Sequence, residues 1–406
     1  MNNNIPVPKG LLKLHATLTH NIYDQGGHLL LRAGTAIESD DLIERLEEKG
    51  YFDPEAVEAL KGASRPVDEI VTGYRPDRSG AARSVVAELS DACGRLQAAF
   101  ADHGGAFDST IRAIADTVWQ CCTLDSDASL STLLITMPYP YQVRHPVNVA
   151  TLAAVLIARQ KQTDAQRAAT LCAALTMDIG ALDLHDDLYC DPRVATDPLR
   201  QRILGHAGAG VQALLDRGVR DPLWLATISQ HHEALDGSGF PAGLKADKIR
   251  PEAQVLALAD RYCGLTSERP HCEARLPPDA LKAIHTQYAT QVAPALVGAL
   301  VSAIGVYPPG MFVRLANRET AVVVHRLLDP KHPVVYAICG PSGAALETPR
   351  KRLTASQAAY AIVECLKRTQ VSAPIAPEQL WPPTIALAPP AAHAGAAAAA
   401  ALPAGA

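Results

Sequence analysis

A long stretch without strand-like alternation constrains the fold of this chain more than any other feature. From about residue 82 to about residue 303, apolar residues recur at intervals of three to four, as at Val85, Leu89, Cys93 and Leu96. This is the spacing of an amphipathic helix. Candidate strands are scarce in the same stretch. The sequence therefore predicts an all-helical domain over 82–303, which is long for a single domain but within the range that single domains reach.

Two smaller units flank this predicted helical domain. Over 1–61, a Gly-Gly pair between two apolar runs predicts a β-hairpin, and Ser39 is placed to cap a helix that runs to about Lys49 and stops at Gly50. Over 304–350, three short runs rich in β-branched residues predict strands of a small β appendage. The predicted fold class is mostly α, a helical domain with a small N-terminal α/β domain and a small C-terminal β appendage.

The remaining segments are assigned from their composition. A stretch rich in Pro, Gly, Asp and Arg predicts a linker over 62–81. Residues 351–384 are predicted to form a C-terminal helix and loop. The segment 385–406 consists almost entirely of Ala, Pro and Gly, which predicts a disordered tail. The best apolar run in the folded parts, 152–158, is far shorter than the roughly 20 residues that a transmembrane helix needs.

Composition excludes several classes of protein. The 406 residues are 48% apolar and 19% charged, with a net charge of −5, which excludes global disorder and a general positive field that would hold nucleic acid or an anionic membrane. The nine cysteines are odd in number and form no CxxC pair, which disfavours a disulfide framework and a zinc ribbon. We therefore expect a cytoplasmic protein that binds no nucleic-acid duplex and inserts into no membrane.

Six imidazole and carboxylate side chains in the predicted helical domain are candidate metal ligands. Such groups suit iron, manganese or zinc. Each one alone has an ordinary explanation as a core histidine or a carboxylate at a helix end. Their joint order, with a Gly-Pro loop after a His-His pair, favours a metal site. The six candidates are His145, Asp178, His206, His231, His232 and Asp260.

The segment HHEALDGSGFPAGL, which begins at His231, resembles the signature of the HD-GYP family, with Phe240 in place of the usual Tyr. The resemblance covers about 137–275 and includes Arg269 with the proline after it. It implies a helical, metal-dependent phosphodiesterase that hydrolyses the bacterial second messenger cyclic di-GMP to linear pGpG or GMP in signal transduction.

Carried over position by position, the resemblance implies a two-metal site. Asp178 would be the catalytic residue that bridges both metals, with the other five candidates divided between them. One metal would be completed by His206, His231 and His232, and the other by His145 and Asp260. The implied cofactor is a divalent metal, iron or manganese ahead of zinc, with one or two ions per chain.

The resemblance also implies which residues contact the cyclic dinucleotide. They are Gly237, Gly239, Phe240, Pro241 and Arg269. Glycines allow backbone N–H groups to approach a phosphate closely, because they have no Cβ. We further expect Glu233 to orient a histidine rather than to bind metal itself.

Two departures from the family pattern put the activity in question. The defining His-Asp doublet reads Met177-Asp178, and the lysine expected in His-Asp-x-Gly-Lys is Ala181. A thioether is a poor substitute for imidazole on these metals, and the lost lysine removes a cation that would face the phosphate. A second His-Asp doublet, His185-Asp186, lies downstream and is interpreted as a chance surface pair.

These departures leave two functions open. The first is a cyclic di-GMP phosphodiesterase with impaired activity. The alternative is a degenerate signalling or interaction module that binds a metal or the cyclic dinucleotide without efficient turnover and acts on a protein partner. A helical scaffold that has lost its site is a third hypothesis, which the retained histidines disfavour. The expected metal content is less than two ions per chain.

Overall fold

The computed structural model describes most of the chain from the N-terminal unit to the end of the C-terminal sheet. The described residues are 5–7, 12, 18, 20–37, 39–52, 84–102, 105–135, 137–158, 160–182, 197–269, 272–327 and 329–383. The predicted linker over 62–81, the predicted tail over 385–406 and the His185-Asp186 doublet lie outside them. Helices dominate the described residues and a small sheet lies near each end, so the predicted mostly-α fold class is confirmed.

The N-terminal unit is an antiparallel sheet with one helix. Its elements are β1 (Ile5–Pro6), β2 (Ile22–Tyr23), β3 (Leu29–Leu31), α1 (Asp40–Lys49) and β4 (Tyr51–Phe52). The strands pair in the order β1-β4-β2-β3, and β2 and β3 form the predicted hairpin. The Ser39 hydroxyl accepts a hydrogen bond from the backbone N–H of Leu42, so it caps α1 as predicted.

Glycine is required at position 50 for a reason that the sequence did not indicate. Gly50 ends α1, but its φ of −90° is not left-handed. A Cβ at this position would lie 2.3 Å from the carbonyl oxygen of Leu46 and 2.7 Å from Cγ2 of Ile22. The close approach of α1 to β2, rather than backbone conformation, therefore demands glycine here.

The helical domain surrounds a buried central helix. Its helices are α2 (Val85–Ala101), α3 (Phe107–Leu124), α4 (Ser126–Ser131), α5 (Tyr141–Ile157), α6 (Asp164–Thr176), α7 (Asp197–Asp216), α8 (Pro222–Gln230), α9 (Pro251–Thr266), α10 (Pro277–Thr286) and α11 (Pro294–Ile304). In α5 every residue from Val147 to Ile157 is buried, and the helix packs against α2, α3, α6 and α9. A helix that is apolar on all sides belongs at the centre of a domain. Among the described helices, none is long and apolar enough to cross a membrane.

A buried and a half-buried polar contact hold α8 in place. The indole Nε1 of Trp224 on α8 donates a hydrogen bond of 2.9 Å to the hydroxyl of Thr176 at the end of α6. Arg112 on α3 donates one of 3.1 Å to Asp221, whose side chain also caps the N-terminus of α8. Contacts with α6 and α3 therefore fix the position of α8, and with it the position of His231, which directly follows this helix.

A second glycine sets the position of α7. Gly180 lies in the short 3₁₀ turn Ile179–Ala181, which follows Asp178. A Cβ at Gly180 would lie 2.3 Å from the carbonyl oxygen of His206 and 2.4 Å from the backbone nitrogen of Gly210. Because glycine has no side chain, α7 packs directly against this turn, which brings His206 close to Asp178.

The C-terminal sheet is larger than the sequence predicts. Its strands are β5 (Phe312–Leu315), β6 (Thr320–His325), β7 (Val334–Cys339), β8 (Ala345–Leu353) and β9 (Ile362–Leu366), and the short helix α12 (Pro377–Leu380) follows. The order is β8-β7-β6-β5-β9, with antiparallel pairing throughout. The prediction of only a helix and loop over 351–384 is wrong, because β8 runs on to Leu353 and β9 pairs with β5. Strand β9 lies at the sheet edge with Val363 62% exposed, so it lacks the buried β-branched run of a central strand.

A buried ion cluster joins this sheet to the helical domain. Asp127 on α4 is 4% exposed. It accepts hydrogen bonds from the guanidinium of Arg326 and, at 3.1 Å, from the Arg326 backbone N–H. The same guanidinium donates to the carbonyl oxygen of Ala303 on α11, and His325 Nδ1 lies 3.6 Å from an Asp127 carboxylate oxygen. One arginine next to β6 thus links α4, α11 and the sheet.

The charges in this cluster shift each other's titration. Burial would raise the pKa of Asp127, but the charge of Arg326 and the contact with His325 lower it to about 2. Burial would lower the pKa of His325, but the neighbouring Asp127 raises it above its ordinary value. Asp127 then contributes stability above the unfolded carboxyl pKa of about 3.9, which is lost as the pH falls toward its folded pKa. His325 contributes stability below the unfolded imidazole pKa of about 6.5, which is lost as the pH rises through its raised folded pKa.

Replacing Asp127 tests this cluster. Asp127→Asn keeps the shape but leaves Arg326 buried without its carboxylate, so we expect a loss of about 3 kcal/mol in the free energy of unfolding. The loss, measured by urea unfolding, should be greatest between about pH 4 and 6.5. The control is Glu44→Gln, which removes the exposed 2.8 Å ion pair with Lys161 and should have little effect. Equal stability of Asp127→Asn and wild type across this pH range would contradict the assignment.

A pair of glycine variants tests the packing of α7. Gly180→Ala forces the turn and α7 apart, and we expect it to destabilise the protein by about 1–3 kcal/mol. Gly208→Ala, on the same helix α7, places its Cβ where no atom lies within 4 Å, and alanine is favoured there by about 1 kcal/mol of helix propensity. Thermal unfolding should therefore shift in opposite directions for the two variants. A neutral Gly180→Ala would show that the close approach is absent in solution.

Candidate metal centre

Three histidines from two parts of the helical domain converge on one point. His206 lies on α7, and His231 and His232 directly follow α8. The Nε2 atom of His206 is 3.3 Å from Nε2 of His231 and 3.2 Å from Nε2 of His232. One ligand atom from each ring lies within 4.8 Å of the others. The structure thus brings three of the six predicted ligands into a group that could hold an ion, and we call this group the histidine cluster.

The tautomers of two cluster histidines follow from their backbone partners. His206 Nδ1 lies at hydrogen-bond distance from the carbonyl oxygen of Ile203, and His231 Nδ1 lies 2.6 Å from that of Ile228. Because a carbonyl oxygen only accepts, each Nδ1 must carry the proton, and each neutral ring presents a lone pair at Nε2. Two such lone pairs 3.3 Å apart repel each other unless a cation lies between them. The donor set therefore fits a bound divalent metal, in which backbone carbonyls fix the ligand tautomers.

Burial favours the neutral form of His231 and His232. Burial lowers the pKa of His231, and the charge of His206 acts in the same direction, against the opposing effects of Ile228, Asp260 and Asp178. The pKa of His232 lies well below its ordinary value, again through burial and then the charge of His231. Neutral imidazole is the form that binds a metal, so His231 and His232 favour their ligating form.

Two further predicted ligands form a separate pair. His145 on α5 is 1% exposed, and its Nε2 lies 2.9 Å from Oδ1 of Asp260 on α9. Burial would raise the pKa of Asp260, but the hydrogen bond and charge of His145, with the charges of His232 and His231, lower it below its ordinary value. Asp260 is therefore an ionised carboxylate. The pair lies near the histidine cluster but does not belong to the group of three.

Asp178 lies between the end of α6 and the 3₁₀ turn, next to the two departures from the family pattern. Its side chain is 8% exposed, and its charge acts on the pKa of His231. Met177 is 1% exposed and packs in the hydrophobic core of the helical domain, and Ala181 is 6% exposed. Asp178 therefore lies beside the histidine cluster, with an apolar side chain at each position where the family has a histidine or a lysine.

The glycine-rich loop folds back over the His-His pair. Gly237 has a φ of +81°, and its N–H donates 2.8 Å to the carbonyl oxygen of Ala234. A Cβ at Gly239 would lie 2.3 Å from the backbone nitrogen of Ala234 and 2.5 Å from the carbonyl oxygen of His232. Phe240 stacks on His232 with ring centroids 4.6 Å apart. The absence of a side chain at Gly239 thus brings the loop onto the backbone of the His-His segment.

Glu233 binds the backbone of this loop and not the side chain of a histidine. Its two carboxylate oxygens accept hydrogen bonds from the backbone N–H of Ala242 at 2.7 Å and of Leu244 at 2.8 Å. The prediction that Glu233 orients a histidine is therefore wrong. The loop turns back through Pro241 and places two backbone donors against the carboxylate, a contact that the linear sequence does not reveal.

Arg269 lies on the side of the His145–Asp260 pair. Its guanidinium is 5.6 Å from the ring centre of Tyr141, and it donates to the carbonyl oxygen of Gly264 at 3.2 Å. Tyr141 in turn stacks on His145 with ring centroids 4.7 Å apart and an interplanar angle of 15°. Tyr141 was not among the predicted site residues, although its position one helical turn before His145 places the two rings on the same face of α5.

Two relatives of known name are similar to this chain. A cyclic di-GMP phosphodiesterase of Pseudomonas aeruginosa is 27% identical over 342 residues, which cover 79% of this chain and 80% of that protein. A 3′3′-cGAMP-specific phosphodiesterase of Vibrio cholerae is 29% identical over 170 residues, which cover 42% of this chain and 36% of that protein. The second match thus spans about a third of that relative.

A solved structure and a family model complete the comparison. The structure of Bd1817, an HDG"Y"P protein from Bdellovibrio bacteriovorus, covers 73% of this chain and 98% of its own, with a TM-score of 0.48 and 16% identity. The family model for the HD domain matches residues 129–296, a range that contains all six predicted ligands. Residues 129–296 are therefore similar to the HD domain, as the His-His-Glu segment predicted.

Proposed function

We propose that this chain is a metal-dependent phosphodiesterase that hydrolyses cyclic di-GMP in the cytoplasm, with lower turnover than relatives that keep the His-Asp doublet. The observation that carries the metal assignment is the convergence of the Nε2 atoms of His206, His231 and His232 at 3.2–3.3 Å. The choice of substrate rests on the Pseudomonas relative, which matches four fifths of its own length and is named for cyclic di-GMP.

The two groups of ligands differ in how firmly they can bind a metal ion. The histidine cluster, with Asp178 beside it, supplies three neutral nitrogens and a carboxylate to one ion. The other position has His145 and Asp260, while the buried thioether of Met177 stands where an imidazole is expected. Iron and manganese prefer imidazole and carboxylate to a thioether. We therefore propose one firmly held ion per chain and a second, weaker one.

The chain's own residues around the cluster suit a phosphodiester substrate. When bound, the ions supply Lewis acidity at the phosphate and a nucleophile derived from water. The backbone of the Gly237–Gly239 loop can approach a phosphate, since no Cβ intervenes. Phe240, stacked on His232, offers an aromatic surface against which a guanine base can pack. Hydrolysis adds water across one P–O bond of the ring and yields linear pGpG.

A second candidate is favoured by one specific observation. Met177 is fully packed in the core, and Ala181 provides no cation near Asp178. Both substitutions weaken catalysis more than they alter the loop that would contact the nucleotide. The alternative is a module that binds cyclic di-GMP without efficient turnover and passes the signal to a protein partner. A measurement of hydrolysis distinguishes this module from the phosphodiesterase.

Metal content tests the histidine cluster. His206→Ala removes the nitrogen that lies closest to both other rings, so we expect firmly bound iron or manganese to fall from about one ion per chain to a small fraction. The matched control is His285→Ala, because His285 is exposed on α10 and should leave the content unchanged. Elemental analysis of dialysed, folded protein measures both. Full retention of metal in His206→Ala would exclude the cluster as the ligand set.

Restoring the family residues tests the cause of low turnover. In Met177→His combined with Ala181→Lys, we expect at least a tenfold higher rate of pGpG formation from cyclic di-GMP, since a ligand and a phosphate-facing cation return. The control is Met177→Leu, which conserves volume and polarity and should leave the rate unchanged. No gain in a double variant that folds and binds metal would show that these two positions do not limit catalysis.

A further inference from the structure

A cleft between the helical domain and the C-terminal sheet contains none of the residues predicted for the metal or the substrate. Its cavity volume is about 70 Å³, and the rest of the cleft is open to solvent. Its walls are the start of α5, the connection from α9 to α10, the segment Gly310–Phe312 and the segment Leu366–Thr369. This volume suits a group of the size of a phosphate and lies well below the roughly 300–1,000 Å³ of a site that encloses a whole drug-sized ligand.

The lining of this cleft is positively charged in a chain whose net charge is −5. Four basic residues face two acidic ones, Glu268 and Glu273. Glu273 is already neutralised by an ion pair of 2.5 Å with Lys367. The four basic residues are Arg144, Arg275, Lys367 and Arg368. Three guanidinium groups therefore remain opposite a single exposed carboxylate.

Two of these arginines are held in place by the fold. Arg144 donates a hydrogen bond of 3.1 Å to the carbonyl oxygen of Glu268 and lies 5.3 Å from the ring centre of Tyr141. Arg368 donates to the carbonyl oxygen of Val371, and its guanidinium lies 5.6 Å from the Phe312 ring centre. Among the described residues, the hydrogen bonds given for these two guanidinium groups go to backbone carbonyls rather than to carboxylates. Burial lowers the pKa of Arg144, against the smaller effect of the Glu268 charge. Planar guanidinium groups fixed in this way suit the oxygens of a phosphate.

The start of α10 also lines the cleft, through Leu276 and Pro277. Pro277 and Pro278 have no backbone N–H, and Asp279 lies in the first turn, so this helix start adds no donors for an anion. The cleft therefore depends on its three guanidinium groups, which surround a space that a small anion can enter.

We propose that this cleft binds the phosphate group of a small phosphorylated ligand, through Arg144, Arg275 and Arg368. The site is distinct from the candidate metal centre and does not depend on the proposed hydrolysis. It is nevertheless close to that centre, because Arg144 lies over Tyr141 and Tyr141 stacks on His145. The C-terminal sheet, through Arg368 and Phe312, supplies one wall of the site.

Calorimetric titration of the full chain with pyrophosphate and, separately, with GMP tests this proposal. The test variant is Arg275→Gln combined with Arg368→Gln, which spares Arg144 and its contact with Tyr141. The matched control is Arg45→Gln combined with Arg350→Gln, which changes net charge equally at exposed positions outside the cleft. Each titration is repeated with EDTA, so that binding at the metal centre is removed.

We expect one binding site that persists in EDTA, is weakened at least tenfold in the test variant and is unchanged in the control. Stronger binding of GMP than of pyrophosphate would identify a nucleotide as the ligand, and the reverse order would identify a free polyphosphate. Should the double variant fail to fold, Arg275→Gln alone, on the exposed rim, must still weaken binding. No binding of either compound, binding that EDTA abolishes, or equal weakening in the control would overturn the proposal.

Discussion

The structure depends on three imidazole nitrogens that face one another inside the helical domain. The backbone carbonyls of Ile203 and Ile228 accept hydrogen bonds from Nδ1 of His206 and His231. The Nε2 lone pairs of both rings therefore point inward. Burial disfavours the protonated form of His231, which could relieve this arrangement. Lone pairs at 3.3 Å are unfavourable in a protein interior without a cation. The arrangement therefore fits a site that holds a metal ion.

The packing of the rest of the helical domain sets the relative positions of these nitrogens. Central helix α5 packs against α9, which brings His145 to Asp260, and the absent side chain of Gly180 lets α7 reach the turn after Asp178. The Trp224–Thr176 hydrogen bond sets the end of α8. Each contact joins segments that are distant in sequence. The contacts that pack the core of this domain therefore also set the positions of the site residues.

Much of the site could be predicted from the sequence, because the order of histidines and acids and the glycine-rich segment are local patterns. The contacts of Glu233 could not, since they depend on how the loop after Pro241 turns back. Tyr141 was missed because its importance comes from stacking on His145. The fold class followed from helical periodicity, whereas edge strand β9 was missed because only one of its five residues is buried.

The most direct test of the central claim is X-ray absorption at the metal edge of the zinc-loaded protein. If the histidine cluster holds the ion, the spectrum must contain the multiple scattering of about three imidazole rings, with nitrogen at about 2.0–2.1 Å. The same spectrum from a sample loaded with a single equivalent should be unchanged in shape. A shell of oxygen atoms without imidazole scattering would contradict the account.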